Sequence, residues 1–239
     1  SKFISWLMRL FYPKANFIVS VSADVHNDLI LRIGSQLSSS STKIIPNPVD
    51  VKSALNKAGE FKIADFENTD NRVHLLAVGR LTKAKGFELL IRAFSKANAG
   101  KKAKLTIVGD GELGPELKSL VCELGQKKNI CFTGKIQNPY PYFDAADIFV
   151  LSSLWEGLPL VLLEAMAMKV PRIILSDCPG SMSEKLDNLN CVNIFSSGDI
   201  ASLSQSINKS INYNEYPKSD FSDLLDPFLL QNVVRQYES

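Results

Sequence analysis

Two glutamates in one segment are the first candidates for chemistry. Glu156 and Glu164 lie in EGLPLVLLEAM, where Pro159 suits the first turn of a helix. Glu164 then falls inside that helix among apolar residues, and a carboxylate is costly to bury there without a partner. A pair of sugar hydroxyls would be such a partner, and a salt bridge or an exposed helix face is the alternative. Glu156 precedes the helix on a loop, where functional side chains collect.

Two basic residues flank a second loop, GRLTKAKG at residues 79–86. Gly79 allows the chain to turn sharply off a strand, and Arg80 and Lys85 follow it. A guanidinium binds two oxygens side by side and an ammonium acts as a point charge, so together they suit a diphosphate. Basic loop residues are usually only solvated, and this alternative stays open for the segment alone.

Backbone groups add two weaker signals. In GDGELG at residues 109–114, glycines after a strand would let a ligand approach closely, although the full GxGxxG motif is absent and a tight turn is an equal alternative. The helix start near Pro159 offers free N–H groups that favour an anion.

The elements that would position these residues alternate between strands and helices. We predict strands at residues 17–22, 73–79, 103–109, 129–134, 147–153, 171–177 and 191–195. We predict helices at residues 22–31, 86–97, 112–125, 140–146, 158–169, 200–211 and 226–237. Residues 52–72 are polar and weakly periodic, and we interpret them as a connection. His74 falls within a strand pattern and is expected in the core.

This alternation predicts an α/β fold with a Rossmann-like, doubly wound parallel sheet. The strands are continuously apolar, which is typical of parallel strands that are buried on both faces. Ligands of such sheets bind at the carboxyl ends of the strands. The segments that hold the candidate residues begin at these ends.

Composition excludes several other classes of protein. The 239 residues are 45% hydrophobic and carry a formal net charge of only +2, so a nucleic-acid partner is not expected. The four cysteines lack metal-binding spacing and a nearby histidine, and we expect neither a metal site nor a disulfide framework. Three of them lie in apolar or strand-like surroundings, where buried reduced thiols suit a reducing cytoplasm. The four cysteines are Cys122, Cys131, Cys178 and Cys191.

The first twelve residues, SKFISWLMRLFY, combine helical apolar spacing with Lys2 and Arg9. Such a helix could lie on a membrane surface. The alternative is a helix that packs on its own domain or on a further one. No apolar run reaches the ~20 residues that a bilayer-spanning helix needs.

Taken together, the motifs resemble family 4 of the retaining glycosyltransferases, which have the GT-B fold. Glu156 and Glu164 have the E-x7-E spacing of that family, and SSLWEGLPLVLLEAMAMKVPRIILSD resembles its signature throughout. GRLTKAKGFELLIRAF, LTIVGDGELGPELKSL and ICFTGKIQN resemble three further segments in the same order. The resemblance covers about residues 15–195 and includes the tail helix.

The resemblance implies a nucleotide-sugar donor, UDP- or GDP-linked, and transfer of a hexose with retention of configuration. It assigns catalytic roles to Glu156, Arg80 and Lys85, and it implies no metal and no cofactor. Arg80 and Lys85 would hold the diphosphate, Glu164 the ribose, and Glu156 the transferred sugar. The implied donor-binding residues are Gly79, Arg80, Lys85, Gly109, Lys135, Ile136, Glu156, Gly157, Leu158, Leu160 and Glu164.

The resemblance also divides the chain into three parts. Residues 1–50 would be a remnant of an N-terminal domain, residues 51–215 the nucleotide-sugar-binding domain, and residues 216–239 a tail helix. A glycan or lipid-linked acceptor would bind through the absent N-terminal domain, so we expect the isolated fragment to be inactive. The expected location is the cytoplasm, with peripheral contact at the inner membrane face. A non-catalytic nucleotide-binding module and an epimerase-like GT-B protein are the alternatives.

Overall fold

A computed structural model of the chain describes residues 2–33, 42–63, 72–97, 102–213 and 219–238. Its strands are β1 (Ile18–Ser20), β2 (Thr42–Ile44), β3 (Val73–Val78), β4 (Ala103–Val108), β5 (Ile130–Gly134), β6 (Ile148–Leu151), β7 (Arg172–Ser176) and β8 (Val192–Phe195). Its α-helices are α1 (Lys2–Phe11), α2 (Ala23–Ile33), α3 (Val51–Ala58), α4 (Phe87–Lys96), α5 (Gly114–Glu123), α6 (Tyr140–Ala145), α7 (Leu160–Ala167), α8 (Ser183–Leu186), α9 (Ile200–Ile211), α10 (Ser222–Leu225) and α11 (Leu230–Glu238).

Six of these strands form one parallel sheet in the order β5-β4-β3-β6-β7-β8. Strand β3 pairs with β4 on one side and with β6 on the other, so the winding direction reverses between β3 and β6. This is the strand order of a doubly wound sheet, as the sequence predicts. Every residue of β6 and β7 is buried, which confirms that central strands of this sheet are covered on both faces.

Helices cover both faces of the sheet, and the sheet separates the hydrophobic core into two clusters. Helices α4, α5 and α9 pack on one face, where Phe94 and Ile207 are fully buried. Helices α3, α6, α7 and α10 pack on the other, where Phe143 and Leu163 are fully buried. Because the strands and helices are packed on both faces, the loops that join them at the carboxyl ends of the strands are held in place.

A second, two-stranded parallel sheet pairs β1 with β2, with α2 between them along the chain. The tail of the chain returns to this part of the molecule. Val49 and Leu229 form a parallel bridge, and the Lys43 ammonium donates to the Gln236 carbonyl at 2.8 Å. Whether residues 1–50, 51–215 and 216–239 are separate domains stays a prediction.

The interpretation of residues 52–72 as a connection was wrong for its first part, and residues 64–71 lie outside the described ranges. Helix α3 begins at Val51 because the Asp50 carboxylate accepts from the Ser53 N–H at 2.9 Å and caps it. Ala54 then faces the core and is fully buried. One small buried residue gives too little apolar periodicity to predict a helix.

The predicted tail helix at residues 226–237 is divided. Residues Asp226–Phe228 form a 3-10 turn around Pro227, Leu229 is extended, and α11 begins at Leu230. Burial of His74, which is 3% exposed, is confirmed. The expectation that three of the four cysteines are buried was wrong, because Cys122 and Cys131 are exposed, Cys191 is half-buried and Cys178 is buried; none of the four, all of which lie in the described residues, forms a disulfide.

Candidate active site

The candidate residues meet where the strand order reverses. The loop after β3 and the loop after β6 lie side by side, because the Leu154 N–H donates to the Ala84 carbonyl at 2.8 Å. The Ser152 hydroxyl donates to the Lys85 carbonyl at 2.9 Å and makes a second link. Ligand clefts of open parallel sheets form at such a point.

Glycines allow these loops to approach each other at backbone distance. Gly86 has a left-handed backbone with φ 61°, and a Cβ atom there would overlap the Ser152 carbonyl. Gly109 has φ 142°, and a Cβ atom there would overlap the Gly79 carbonyl. Gly79 in turn donates its N–H to the Val108 carbonyl at 2.9 Å. The glycines of both predicted motifs are therefore needed for packing of the loops.

Lys85 and Glu156 contact each other directly. The Lys85 ammonium lies 2.6 Å from Glu156 Oε1, and the side chains are only 22% and 8% exposed. The Ser153 hydroxyl donates to the same oxygen at 2.5 Å. Sequence reasoning missed Ser153, although its position three residues before Glu156 was visible. One buried carboxylate thus receives an ammonium and a hydroxyl at the switch point of the sheet.

The loop after β7 supports this carboxylate from behind. The Glu156 N–H donates to the Pro179 carbonyl at 2.9 Å. Gly180 has φ 78°, and a Cβ atom there would overlap the Glu156 carbonyl. The position of Glu156 is therefore fixed by its backbone as well as by its side chain.

The loop from Glu156 into α7 presents backbone N–H groups. Helix α7 has no side chain that caps its N-terminus. Leu160 is one of the residues predicted to bind the nucleotide-sugar, but its N–H donates to the Leu158 carbonyl at 3.0 Å and is engaged in a turn. Gly157 lies under α2, since a Cβ atom on it would be 3.4 Å from Val25 Cγ2. The α2 segment therefore forms one wall beside this loop.

Glu164 lies inside α7, as the sequence predicts, and its partner is Tyr140. The Tyr140 hydroxyl donates to Glu164 Oε1 at 3.1 Å. Burial raises the pKa of Glu164, and the hydrogen bond from Tyr140 opposes that change. Burial and the neighbouring Glu164 charge raise the pKa of Tyr140 to about 12. Sequence reasoning missed Tyr140, because nothing in its own segment points to a carboxylate on another helix.

The remaining predicted residues surround this centre. Arg80 is exposed; its carbonyl accepts from the Thr82 N–H at 2.8 Å, and its guanidinium has no hydrogen-bond or ion-pair partner within the part of the chain that the structure describes. Lys135 is exposed, whereas Ile136 packs against the cluster that includes α6 and α7. The Gly109 N–H donates to the Gly134 carbonyl at 3.0 Å, so the loops after β4 and β5 adjoin.

A cavity of about 510 Å³ lies beside the Glu156 loop. It opens between the start of α2 and the loop that joins β7 to α8. Leu158 and Gly180 line one side, and Ser22 and Asp24 line the other. Among the described residues, no three His, Cys, Asp or Glu side chains cluster where they could hold a metal ion.

The fold places the chain in a class of proteins with a Rossmann-like, doubly wound sheet. It is similar over 100% of its length to HepE of Anabaena in complex with UDP and glucose, with a TM-score of 0.84, 18% identity and 66% of that chain covered. Comparison of the sequence with family models shows the family to which the chain belongs. The model of glycosyl transferases group 1 matches residues 60–219, and the chain belongs to this family. The prediction of a GT-B glycosyltransferase is confirmed.

Two relatives with curated names match the chain over part of their own length. An uncharacterized glycosyltransferase of Methanocaldococcus jannaschii is 33% identical over 181 residues, which are 74% of this chain and 44% of the relative. An N-acetylgalactosaminyltransferase of Campylobacter jejuni, named for a diphospho-undecaprenol substrate, is 34% identical over 68% of this chain and 42% of its own length. The chain therefore spans less than half the length of these relatives. In the described residues, no helix has the length and hydrophobicity of a membrane span.

Proposed function

We propose that this chain binds a UDP- or GDP-linked hexose and forms the donor half of a retaining glycosyltransferase. The observation that carries the proposal is the Lys85–Glu156 pair, 2.6 Å apart at the switch point of the sheet and next to the uncapped start of α7. A cation, a carboxylate and the N–H groups of the loop that leads into α7 are what a diphosphate linked to a sugar would need.

The chemistry is displacement at the anomeric carbon. The bond from this carbon to the diphosphate oxygen breaks, the acceptor hydroxyl oxygen bonds to the same carbon and gives up its proton to the departing diphosphate, and the configuration is kept. Negative charge develops on the departing diphosphate, where Lys85, Arg80 and the N–H groups of Gly157 and Leu158 would stabilise it. These groups would perform the charge stabilisation without a metal ion or a cofactor.

Three further contacts would hold the donor. Glu156 would bind hydroxyls of the transferred hexose, and Glu164 would bind the ribose. The backbone around Lys135 and Ile136 would flank the base. The close approach of the loops at Gly79 and Gly109 supports this arrangement, because it holds the loop that carries Arg80 and Lys85 against the end of the neighbouring strand.

The acceptor would be a glycan or a lipid-linked saccharide. The Campylobacter jejuni relative is named for a substrate linked to diphospho-undecaprenol, and that relative is more than twice as long as the stretch it shares with this chain. A further domain would therefore complete the acceptor side, and the chain alone would not turn over. We place the complete enzyme in the cytoplasm, with α1 in contact with the inner face of the membrane.

Calorimetric titration of the chain with UDP, GDP and ADP tests the proposal. We expect one of these to bind at millimolar concentration or below, and Glu164→Ala to weaken this binding about tenfold or more. Glu116→Ala, which removes an exposed glutamate from α5, is the control and should bind like the parent chain. If none of the three nucleotides binds at millimolar levels, the chain is not a donor site.

A further inference from the structure

Tyr140 begins α6 beside the carboxylate that we propose binds the ribose. Its hydroxyl spans from α6 to α7 and donates to Glu164 Oε1 at 3.1 Å. The Tyr140 N–H donates to Asn138 Oδ1 at 3.1 Å, and the Asn138 amide donates to the Lys57 carbonyl at 2.8 Å. A series of hydrogen bonds that ends on α3 therefore fixes the start of α6 and the phenol that it carries.

The ring of Tyr140 is held by packing as well. Its centroid lies 6.4 Å from the ring of Phe143, which is fully buried. The Lys57 ammonium lies 6.0 Å from the same centroid on the α3 side. The phenol is thus constrained from two sides, and its position does not depend on the hydrogen bond to Glu164 alone.

Tyr140 and Glu164 each keep an oxygen that can accept a further hydrogen bond. The Tyr140 hydroxyl has one proton and gives it to Glu164, so its oxygen can only accept further hydrogen bonds. Glu164 Oε2 has no donor among the residues that the structure describes. Two neighbouring acceptors remain, and a ribose presents two neighbouring hydroxyl donors.

We propose that Tyr140 is the positioning residue of the ribose site. It holds the Glu164 carboxylate for the hydroxyls of a ribose and makes the site prefer ribonucleotides to 2′-deoxyribonucleotides. The inference rests on the proposed donor function and adds to it a residue that selects the sugar of the nucleotide.

The charges around the pair agree with this role. Burial raises the pKa of Glu164, and the hydrogen bond from Tyr140 lowers it. Among the described residues, Asp50 and Lys57 on the α3 side are charged groups near the phenol, and the Glu60 carboxylate accepts from the Asn138 amide at 2.8 Å. Without the Tyr140 hydroxyl, Glu164 would take up a proton at a higher pH than it does now, and a protonated carboxyl is a weaker acceptor for ribose hydroxyls.

The experiment compares a nucleoside diphosphate, UDP or the one that binds best in the panel above, with its 2′-deoxy form. Tyr140→Phe keeps the ring and removes only the hydroxyl. We expect it to weaken the ribonucleotide about five- to tenfold and to leave the 2′-deoxyribonucleotide nearly unchanged. As pH is lowered, ribonucleotide affinity of Tyr140→Phe should begin to fall at a higher pH than that of the parent chain.

Tyr142→Phe is the matched control, since Tyr142 is on the same helix and lines a different cavity with Ile63 and Thr106. It should change neither affinity. If Tyr140→Phe weakens both nucleotides equally, or weakens neither, the inference is wrong. If Glu164→Ala weakens the ribonucleotide and Tyr140→Phe does not, only this inference has failed. If the parent chain binds no nucleotide, the proposed function has failed with it.

Discussion

Glu156 shows how a carboxylate can be kept inside a protein. Its side chain is 8% exposed, and both the Lys85 ammonium and the Ser153 hydroxyl donate to one of its oxygens. A buried ion pair contributes little net stability, because desolvation offsets the attraction, but removal of one partner is costly. Stability therefore does not explain why the pair is buried, whereas the proposed binding of a nucleotide-sugar would. An arriving phosphate would share the ammonium.

Lys85→Met should separate stability from binding. It leaves the Glu156 charge buried without its cation, and we expect the free energy of unfolding in urea to fall by about 2–4 kcal/mol, with loss of nucleotide binding. The double variant Lys85→Met with Glu156→Gln should regain most of the stability and none of the binding. Lys83→Met, at an exposed position of the same turn, should stay within about 0.5 kcal/mol of the parent chain. Wild-type stability of Lys85→Met would contradict this account of the pair.

Much of this site could be predicted residue by residue, and its contacts could not. Lys85 and Glu156 each stood out because charged residues lay at strand ends in a doubly wound pattern. They are 71 positions apart, and no spacing rule joins side chains over that distance. Tyr140 was missed for the same reason, since Glu164 is 24 positions further along the chain on another helix. Local patterns show which residues need a partner, but the order of the strands in the sheet determines which residues are brought into contact.

At the level of elements, strands and amphipathic helices were predictable, and short polar elements were not. Helix α9 spans Ile200–Ile211, as predicted, because Asp199 caps it and apolar residues recur at helical spacing. Strand β2 and helices α8 and α10 were not predicted, since three or four residues are too few to show a period. These short elements depend on tertiary contacts.

The loop between β3 and α4 gives a test at this level. Gly86→Ala adds a Cβ atom that would overlap the Ser152 carbonyl, so the loop that carries Lys85 would have to move. Gly125→Ala is the control for backbone strain alone, because φ is 66° there, close to the 61° of Gly86, and no atom lies within 4 Å of its Cβ position. We expect Gly125→Ala to cost about 1–2 kcal/mol and Gly86→Ala about 3 kcal/mol or more.

Chemical denaturation gives these energies, and nucleotide titration shows whether the loop has moved. Gly86→Ala should weaken nucleotide binding, whereas Gly125→Ala should not. Equal losses of stability in the two variants would mean that the close packing of the loops after β3 and β6 is not what requires a glycine.

At the scale of the whole molecule, the chain joins a sheet that holds the candidate donor site to a smaller unit built from β1, α2 and β2. The 510 Å³ cavity lies between them and adjoins the Glu156 loop through Leu158 and Gly180. The tail bridges the same two parts, because Leu229 pairs with Val49 and Lys43 bonds to Gln236. The cavity therefore opens beside the loop that carries Glu156, the residue that we propose binds the hexose.

Helix α1 lies on the smaller unit and exposes large apolar side chains, with Trp6 57% and Phe11 56% exposed. Arg9 and Lys14 add positive charge beside them. If the acceptor is lipid-linked, this helix should bind membranes. We expect the chain to co-sediment with anionic vesicles, more weakly at high salt, and to remain in solution with neutral ones. Trp6→Glu with Phe11→Glu should abolish binding, and Leu55→Glu, at an exposed apolar position on α3, should not. Equal sedimentation of all three proteins would exclude α1 as the segment that contacts the membrane. Packing against a further domain would then be the explanation for the exposed apolar residues of α1.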